Sequence, residues 1–190
     1  MKFNRGWWGI GLGDYLPCRF TYQLYDLASL PAVEVPAGYE WLVGADPVGK
    51  RMYRAEAAGD VPAGLAFDEF FARPELPMAF ASPTDCFWRV RDRGESQGGR
   101  LVEFMADSQG CVYWYLFVGQ DGSGGAQPVL AGDAEEGELV QVADSFDEFL
   151  RRLWIETTGW YEIVGEKRPA EAWSPLVREY VRRLETRVGP

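Results

Sequence analysis

Histidine is absent from this sequence of 190 residues, and its absence removes the commonest catalytic designs. Without an imidazole, serine and cysteine nucleophiles lose their usual activating base, and zinc sites that use histidine ligands are excluded. The three cysteines, Cys18, Cys86 and Cys111, stand far apart without CxxC spacing, which predicts reduced thiols in place of a disulfide framework. Glycine-rich motifs that bind phosphate or dinucleotides are also missing. We therefore expect no cofactor and no metal.

Long apolar runs are missing too. No segment approaches the roughly 20 apolar residues that a transmembrane helix needs. The N-terminal stretch from Trp7 to Gly13 is short, rich in glycine and followed by Asp14, which is not typical of a signal peptide. We expect a cytoplasmic protein without membrane association.

Basic residues are scarce, and one segment has none. The chain holds 19 Lys and Arg against 29 Asp and Glu, a net charge of −10. Between Leu101 and Leu150 lie ten acidic residues and no basic one, so the net charge belongs to this segment alone. An acidic field repels nucleic acid and attracts basic proteins, whereas the plainer alternative is a solvated face that serves solubility.

Six acids of this segment are our candidates for contacts with a partner. They are Asp107, Asp121, Asp133, Glu135, Glu136 and Glu138. Ahead of the segment, Arg89, Arg91 and Arg93 alternate along one predicted strand. Since no basic field surrounds them, we expect these arginines to pair with acids of a neighbouring strand, not with nucleic acid.

Alternation of apolar residues predicts a sheet in the second half of the chain. The strands are expected at Cys86–Arg91, Leu101–Met105, Cys111–Val118, Pro128–Leu130 and Leu139–Val142. The third run is almost entirely apolar, which is typical of a central strand buried on both faces. An earlier alternating run, Arg19 to Tyr25, predicts one more strand.

Helical signals lie on both sides of these strands. Leu65 to Ala72 predicts a short helix. Ser145 and Glu148 form a capping box ahead of apolar residues at helical spacing, and Gly159 is the expected C-cap. An edge strand is expected at 160–164, and the pair Ser174 and Pro175 predicts the start of a final helix.

These patterns indicate an α+β fold, a mostly antiparallel sheet covered by a few helices. Apolar residues make up 47% of the chain and aromatic residues 15%, enough for one well-packed domain. Residues 61–190 carry the α+β pattern. Residues 1–60, which prolines and glycines break into short pieces, are either a divergent part of the same domain or an added element.

Carboxylates alone could still support glycoside hydrolysis. Asp107 with Glu103, or Asp85, could act as an acid and base pair, and some of the eight tryptophans could stack on sugar rings, as in a carbohydrate-binding protein. The strongest counter-argument is that Trp88 and Trp114 lie within strand patterns that favour core packing.

Several segments between Leu76 and Glu156 resemble, in their order, the SUKH superfamily. The most specific is the helix entry at Val142–Leu150, with the pattern Val-x-x-x-Ser-Phe-x-x-Phe-Leu. The next is Asp107 and Gln109 ahead of the strand that bears Trp114. Phe80–Asp85 and the strands at 101–104 and 128–130 follow the same order. This superfamily unites a fungal cell-wall assembly regulator with many bacterial immunity proteins.

The resemblance implies an α+β domain without catalysis that binds and neutralises a toxin, often a nuclease, delivered by a neighbouring cell. Together with the acidic segment, it predicts a non-catalytic module whose partner is a basic protein. A housekeeping regulator of the same fold and the hydrolase described above remain alternatives, and the oligomeric state is left open.

Overall fold

The computed structural model describes residues 27–45, 49–55, 61–96, 98–119, 127–133, 135 and 138–188. At its centre is one antiparallel sheet whose five strands are ordered as in the sequence. They are β1 (Phe87–Ser96), β2 (Gly99–Ala106), β3 (Tyr113–Gly119), β4 (Val129–Asp133) and β5 (Glu138–Ala143). The α-helices of the described residues are α1 (Asp68–Ala72), α2 (Phe146–Trp160) and α3 (Pro175–Val188). This architecture confirms the predicted α+β fold.

Each of the five predicted strands from Cys86 onward has its counterpart in this sheet. The apolar run at 111–118 becomes the central strand β3, in which Trp114, Tyr115 and Leu116 are all at least 98% buried. Because successive side chains of a strand point to opposite faces, burial of all three means that both faces of the sheet are covered here. The strand predicted at Arg19–Tyr25 lies outside the described residues.

Aromatic rings fill the space between the sheet and α2. Phe104 of β2 meets Phe146 and Phe149 of α2 at ring-centroid distances of 5.1 and 5.2 Å, both edge to face. Phe70 of α1 lies 5.5 Å from Phe146 and 5.4 Å from Trp88 of β1. Among the described residues of the first sixty, the buried side chains of Leu30, Tyr39, Leu42 and Met52 belong to the same core.

Helix α2 begins where the capping box predicts. The backbone of Ser145 is extended, and its hydroxyl accepts a hydrogen bond from the Glu148 amide at 3.2 Å. The Glu148 carboxylate accepts from the amide of Asp144 at 2.9 Å, one residue before the usual partner of a capping box. The predicted apolar stripe is buried from Phe146 to Leu153.

Helix α1 is shorter than predicted and begins at Asp68, not at Leu65. The Asp68 carboxylate accepts hydrogen bonds from the amides of Gly64 and Leu65 at 2.8 and 3.0 Å. These bonds hold the preceding residues in a turn, because a short acidic side chain competes with the helix for the same backbone donors.

The C-terminal end of α2 was predicted wrongly. No edge strand forms at 160–164. Helix α2 runs through Gly159 to Trp160 and continues as a π-helical turn, Tyr161–Gly165. Tertiary contacts favour the π-helical turn over a strand. The Tyr161 hydroxyl donates to the Ser82 carbonyl at 3.1 Å, and the buried Glu162 carboxylate accepts from the Ser174 amide at 2.9 Å. Helix α3 then starts at Pro175, as predicted.

The ring of Tyr161 packs directly on Gly49, which generates a test of this turn. A Cβ atom at residue 49 would lie 1.9 Å from Tyr161 Cζ, and Gly49 has a φ of +105°. We expect Gly49→Ala to lower the free energy of unfolding by about 3 kcal/mol, from backbone strain and overpacking together. Urea titration followed by tryptophan fluorescence measures the loss.

The matched control is Gly38→Ala. Gly38 also has a positive φ, +64°, but an added Cβ would meet no heavy atom within 4 Å. Only the backbone strain of a side chain at positive φ remains, and we expect it to lower the free energy of unfolding by about 1 kcal/mol. Equal losses in the two variants would contradict the close packing of Tyr161 on Gly49.

Candidate partner-binding surface

A charged cluster centred on Glu103 occupies the face of the sheet that α2 does not cover. Glu103 lies between Val102 and Phe104 in β2, and since Phe104 contacts α2, Glu103 points to the opposite face. From β1, Arg89 Nε donates to one Glu103 oxygen at 2.6 Å and Arg93 Nε to the other at 2.7 Å. The prediction that the three arginines pair with acids of a neighbouring strand is confirmed for Arg89 and Arg93, whereas Arg91 makes no such pair within the described residues.

The strand register explains why two arginines reach one carboxylate. Arg91 stands directly opposite Glu103 in the β1–β2 pair, so Arg89 and Arg93 are its diagonal neighbours. Diagonal positions are about 7–8 Å apart, which long side chains can span. Register shifts between Trp88 and Arg91 and between Asp92 and Gly94 bend β1 around this point.

Burial makes these ion pairs stronger than ordinary surface pairs. The Glu103 side chain is 0% exposed, and the side chains of Arg89 and Arg93 are 25% and 17% exposed. Although burial opposes the charged form, the hydrogen bond to Glu103 and the charge of Glu103 raise the pKa of Arg93. Arg93 also lies 3.6 Å from a carboxylate oxygen of Glu135, at the tip of the β4–β5 turn.

Aromatic rings surround the arginines. The guanidinium of Arg89 lies 5.5 Å from the ring centre of Phe87, and that of Arg93 lies 5.3 Å from the ring centre of Tyr113. Tyr53 stacks on Phe87 with ring centres 5.0 Å apart and an interplanar angle of 3°. Sequence reasoning missed Tyr53, because its ring partner is far along the chain and no periodic pattern joins them.

The Asp107 side chain stabilises the β2–β3 turn. One oxygen of its carboxylate accepts hydrogen bonds from the amides of Gln109 and Cys111 at 3.1 and 3.4 Å, and the side chain is buried. This is the usual way in which an aspartate closes a turn. The buried Asp107 is therefore not available to contact a partner, contrary to its prediction as a contact residue.

The other candidate acids that the structure describes lie at the β4–β5 turn. Asp133 ends β4, where its carboxylate accepts from the Glu135 amide at 2.9 Å. The Glu135 side chain is 85% exposed. Glu138 begins β5 and is paired in register with Asp133. Asp121 and Glu136 lie outside the described residues.

Arginines from outside the acidic segment neutralise part of its charge. Glu103 is held by Arg89 and Arg93, and Glu148 pairs with Arg152 at 2.7 Å. These carboxylates add little to the field outside the protein. The charge of the segment is therefore less available to a partner than its sequence suggests, and the acids exposed at the turn and beyond β5 carry what remains.

Two exposed acids follow β5. Asp144 accepts a hydrogen bond from the side-chain amide of Gln141 at 2.7 Å. Asp147, in the first turn of α2, accepts one from the Tyr39 hydroxyl at 2.8 Å. Burial, the hydrogen bond to Asp147 and the charges of Asp147 and Glu69 raise the pKa of Tyr39 well above its usual range.

The carboxylates considered for glycoside hydrolysis are engaged elsewhere. Both oxygens of Glu103 accept from guanidinium groups and the residue is fully buried, while the exposed Asp85 pairs with Lys50. An acid and base pair must reach the bond that it cleaves, which the burial of Glu103 and Asp107 prevents. Burial also raises the pKa of the Cys86 thiol to about 12, far from the value of a reactive nucleophile.

Among the described residues, no group of three or more acidic or cysteine side chains is placed to hold a metal ion. Within the same ranges, no helix has the length and apolar character required to cross a membrane. Comparison with known protein families, curated proteins and solved structures finds no match for this chain. The resemblance to the SUKH superfamily therefore stays a prediction.

The Glu103 cluster generates a stability test. In Glu103→Gln the shape of the side chain is kept but its charge is lost, which leaves Arg89 and Arg93 with a weaker partner in a largely buried site. We expect the free energy of unfolding to fall by about 2–3 kcal/mol. Chemical denaturation of the parent protein and the variant at neutral pH measures this difference in the free energy of unfolding.

Glu135→Gln is the control, because Glu135 is exposed and only reaches Arg93 at 3.6 Å. We expect this substitution to lower the free energy of unfolding by less than about 1 kcal/mol. If Glu103→Gln cost no more than this control, the cluster would not stabilise the sheet.

Proposed function

We propose that this chain is a non-catalytic protein-binding module that binds a basic protein along the edge of the sheet at β5. The observation behind the proposal is a set of acids at both ends of this strand, three of them exposed and Asp133 partly buried, within a segment that has no Lys or Arg. This set, which we name the acidic β5 edge, consists of Asp133, Glu135, Asp144 and Asp147.

The dimensions of the acidic β5 edge suit a protein partner. About six residues of extended chain separate its two ends, or about 20 Å at the rise of a strand. A standard interface covers about 800 Å² on each partner, which is wide enough to include both ends. A small ligand would reach only one of them.

The acids of this edge are already oriented. Asp144 is held by Gln141, Asp147 by Tyr39, and Asp133 by the amide of Glu135. Side chains that are fixed before binding lose less conformational entropy when the complex forms. Complementary charge then accelerates encounter and selects the partner more than it adds affinity.

The resemblance to immunity proteins supports a more specific form of the proposal. In this form the module acts in the cytoplasm and neutralises a toxin, with a nuclease as the most suitable class. A nuclease binds phosphate and so presents a basic cleft, which an acidic edge can cover. The succession of five antiparallel strands and the capped helix α2 is compatible with the order of motifs on which the resemblance rests.

Charge reversal at both ends of the edge tests the proposal. Glu135→Lys with Asp144→Lys changes two exposed side chains. The partner to use is the product of the gene adjacent to that of this chain, since immunity proteins are encoded beside their toxins. We expect the association rate constant to fall about tenfold or more at low salt, and its salt dependence to become shallower. Stopped-flow fluorescence at about 0.02 M and 0.15 M salt measures both.

The control makes the same change of charge elsewhere, with Glu95→Lys and Glu171→Lys. Both residues are exposed, one in β1 and one between α2 and α3. We expect this variant to retain most of the association rate. If both double variants slowed association equally, net charge and not the acidic β5 edge would govern binding. If the parent protein formed no complex with the neighbouring gene product, the toxin-neutralising form of the proposal would be lost.

A further inference from the structure

A second exposed patch, opposite in charge to the acidic β5 edge, lies at the other edge of the sheet. Tyr53, Phe87, Arg89 and Arg91 form it, and we name it the aromatic–arginine patch. Tyr53 is 56% exposed and stacks on the half-buried Phe87. Arg89 lies beside the Phe87 ring, and the exposed Arg91 is two residues further along β1.

Arg91 carries the charge of this patch. It is the direct cross-strand neighbour of Glu103, yet both oxygens of that carboxylate are taken by Arg89 and Arg93. Among the described residues, the Arg91 side chain makes no hydrogen bond or ion pair. Glu103 therefore does not neutralise the guanidinium of Arg91, which is exposed.

The patch is held rigidly by the fold. The carbonyl of Tyr53 accepts a hydrogen bond from the Trp88 amide at 2.9 Å, and the Ala55 amide donates to the Trp88 carbonyl at 2.8 Å. These bonds place the segment at 51–55 alongside β1, where Tyr53 meets Phe87. Arg89 is held by Glu103. A ligand would therefore bind a surface that needs little further ordering.

We propose that the aromatic–arginine patch binds an acidic peptide segment of a partner protein, in which a carboxylate lies next to an aromatic or large apolar side chain. The carboxylate would pair with Arg91, whose planar guanidinium offers two parallel donors. The neighbouring side chain would pack on the exposed face of Tyr53. Tyrosine, phenylalanine and arginine are the residue types that concentrate at the centres of protein interfaces.

Charge favours a short acidic segment over the other possible occupants. A single-stranded nucleic acid also stacks on aromatic rings, but it brings many phosphates toward a protein of net charge −10. A second copy of this chain brings the same net charge. A peptide with one or two carboxylates touches the patch alone, and at physiological salt charges more than about 8 Å away are largely screened.

Selection from a random dodecapeptide library displayed on phage tests the inference. The parent protein should enrich peptides in which Asp or Glu adjoins Phe, Tyr, Trp or Leu. A labelled copy of an enriched peptide, and a version with Asn and Gln in place of its acids, are then titrated with the protein by fluorescence polarisation. We expect Arg91→Glu and Tyr53→Ser each to raise the Kd about tenfold or more, and the neutral peptide to bind equally weakly.

The matched control is Lys167→Glu, which reverses an exposed cation that makes no ion pair within the described residues. Circular dichroism and thermal unfolding check that every variant folds, which is expected because Arg91 and Tyr53 are exposed. The proposal is supported if Lys167→Glu leaves the Kd unchanged while the two patch variants raise it.

Four outcomes would overturn the proposal. They are no enrichment, enriched peptides without acids, an unchanged Kd in Arg91→Glu, and tighter binding of a thymidine dodecamer at the same residues. Sedimentation velocity adds one more, a dimer of the parent protein that Arg91→Glu dissociates. Because Glu135 and Asp144 are unchanged in the patch variants, the result is independent of the partner proposed for the acidic β5 edge.

Discussion

The burial of Glu103 is the constraint on which the face opposite α2 depends. Removing a carboxylate from water destabilises the folded state strongly unless opposite charges and hydrogen-bond donors surround it. Arg89 and Arg93 meet that need from the neighbouring strand, with bulges that bend β1 around the carboxylate. Among the described residues Arg91 then makes no ion pair, so the same constraint that stabilises the sheet also leaves an exposed guanidinium on its edge strand β1.

The aromatic layer on the other face has a different role. Phe104, Phe146 and Phe149 are fully buried and join β2 to α2, while α1 adds Phe70 to the same layer. Apolar burial is non-directional and roughly proportional to the area removed from water. This layer therefore holds the helix against the sheet without using any polar side chain of the surface. Both proposed contacts, the acidic β5 edge and the aromatic–arginine patch, lie at strand edges outside it.

Local patterns were sufficient for most elements. The strands that became β1 to β5 and the start of α2 at Ser145 followed from alternation and capping, since these depend on residues within a few positions of one another. The pairing of Arg89 and Arg93 was also predictable. The strand expected at 160–164 was wrong, because the hydroxyl of Tyr161 and the carboxylate of Glu162 bind groups 79 and 12 residues away, and these contacts favour a π-helical turn.

Which carboxylates of the acidic segment remain exposed was decided by the tertiary structure alone. Sequence placed ten acids and no base between Leu101 and Leu150. The fold then brought Arg89 and Arg93 of the neighbouring strand to Glu103, whereas Glu148 and Asp107 bind partners within four residues along the chain. Sequence by itself therefore determined the fold class, the positions of the strands along the chain and the total charge, because these follow from local periodicity and composition. The distribution of free charge over the surface came only with folding, since it depends on which distant side chains share a buried site.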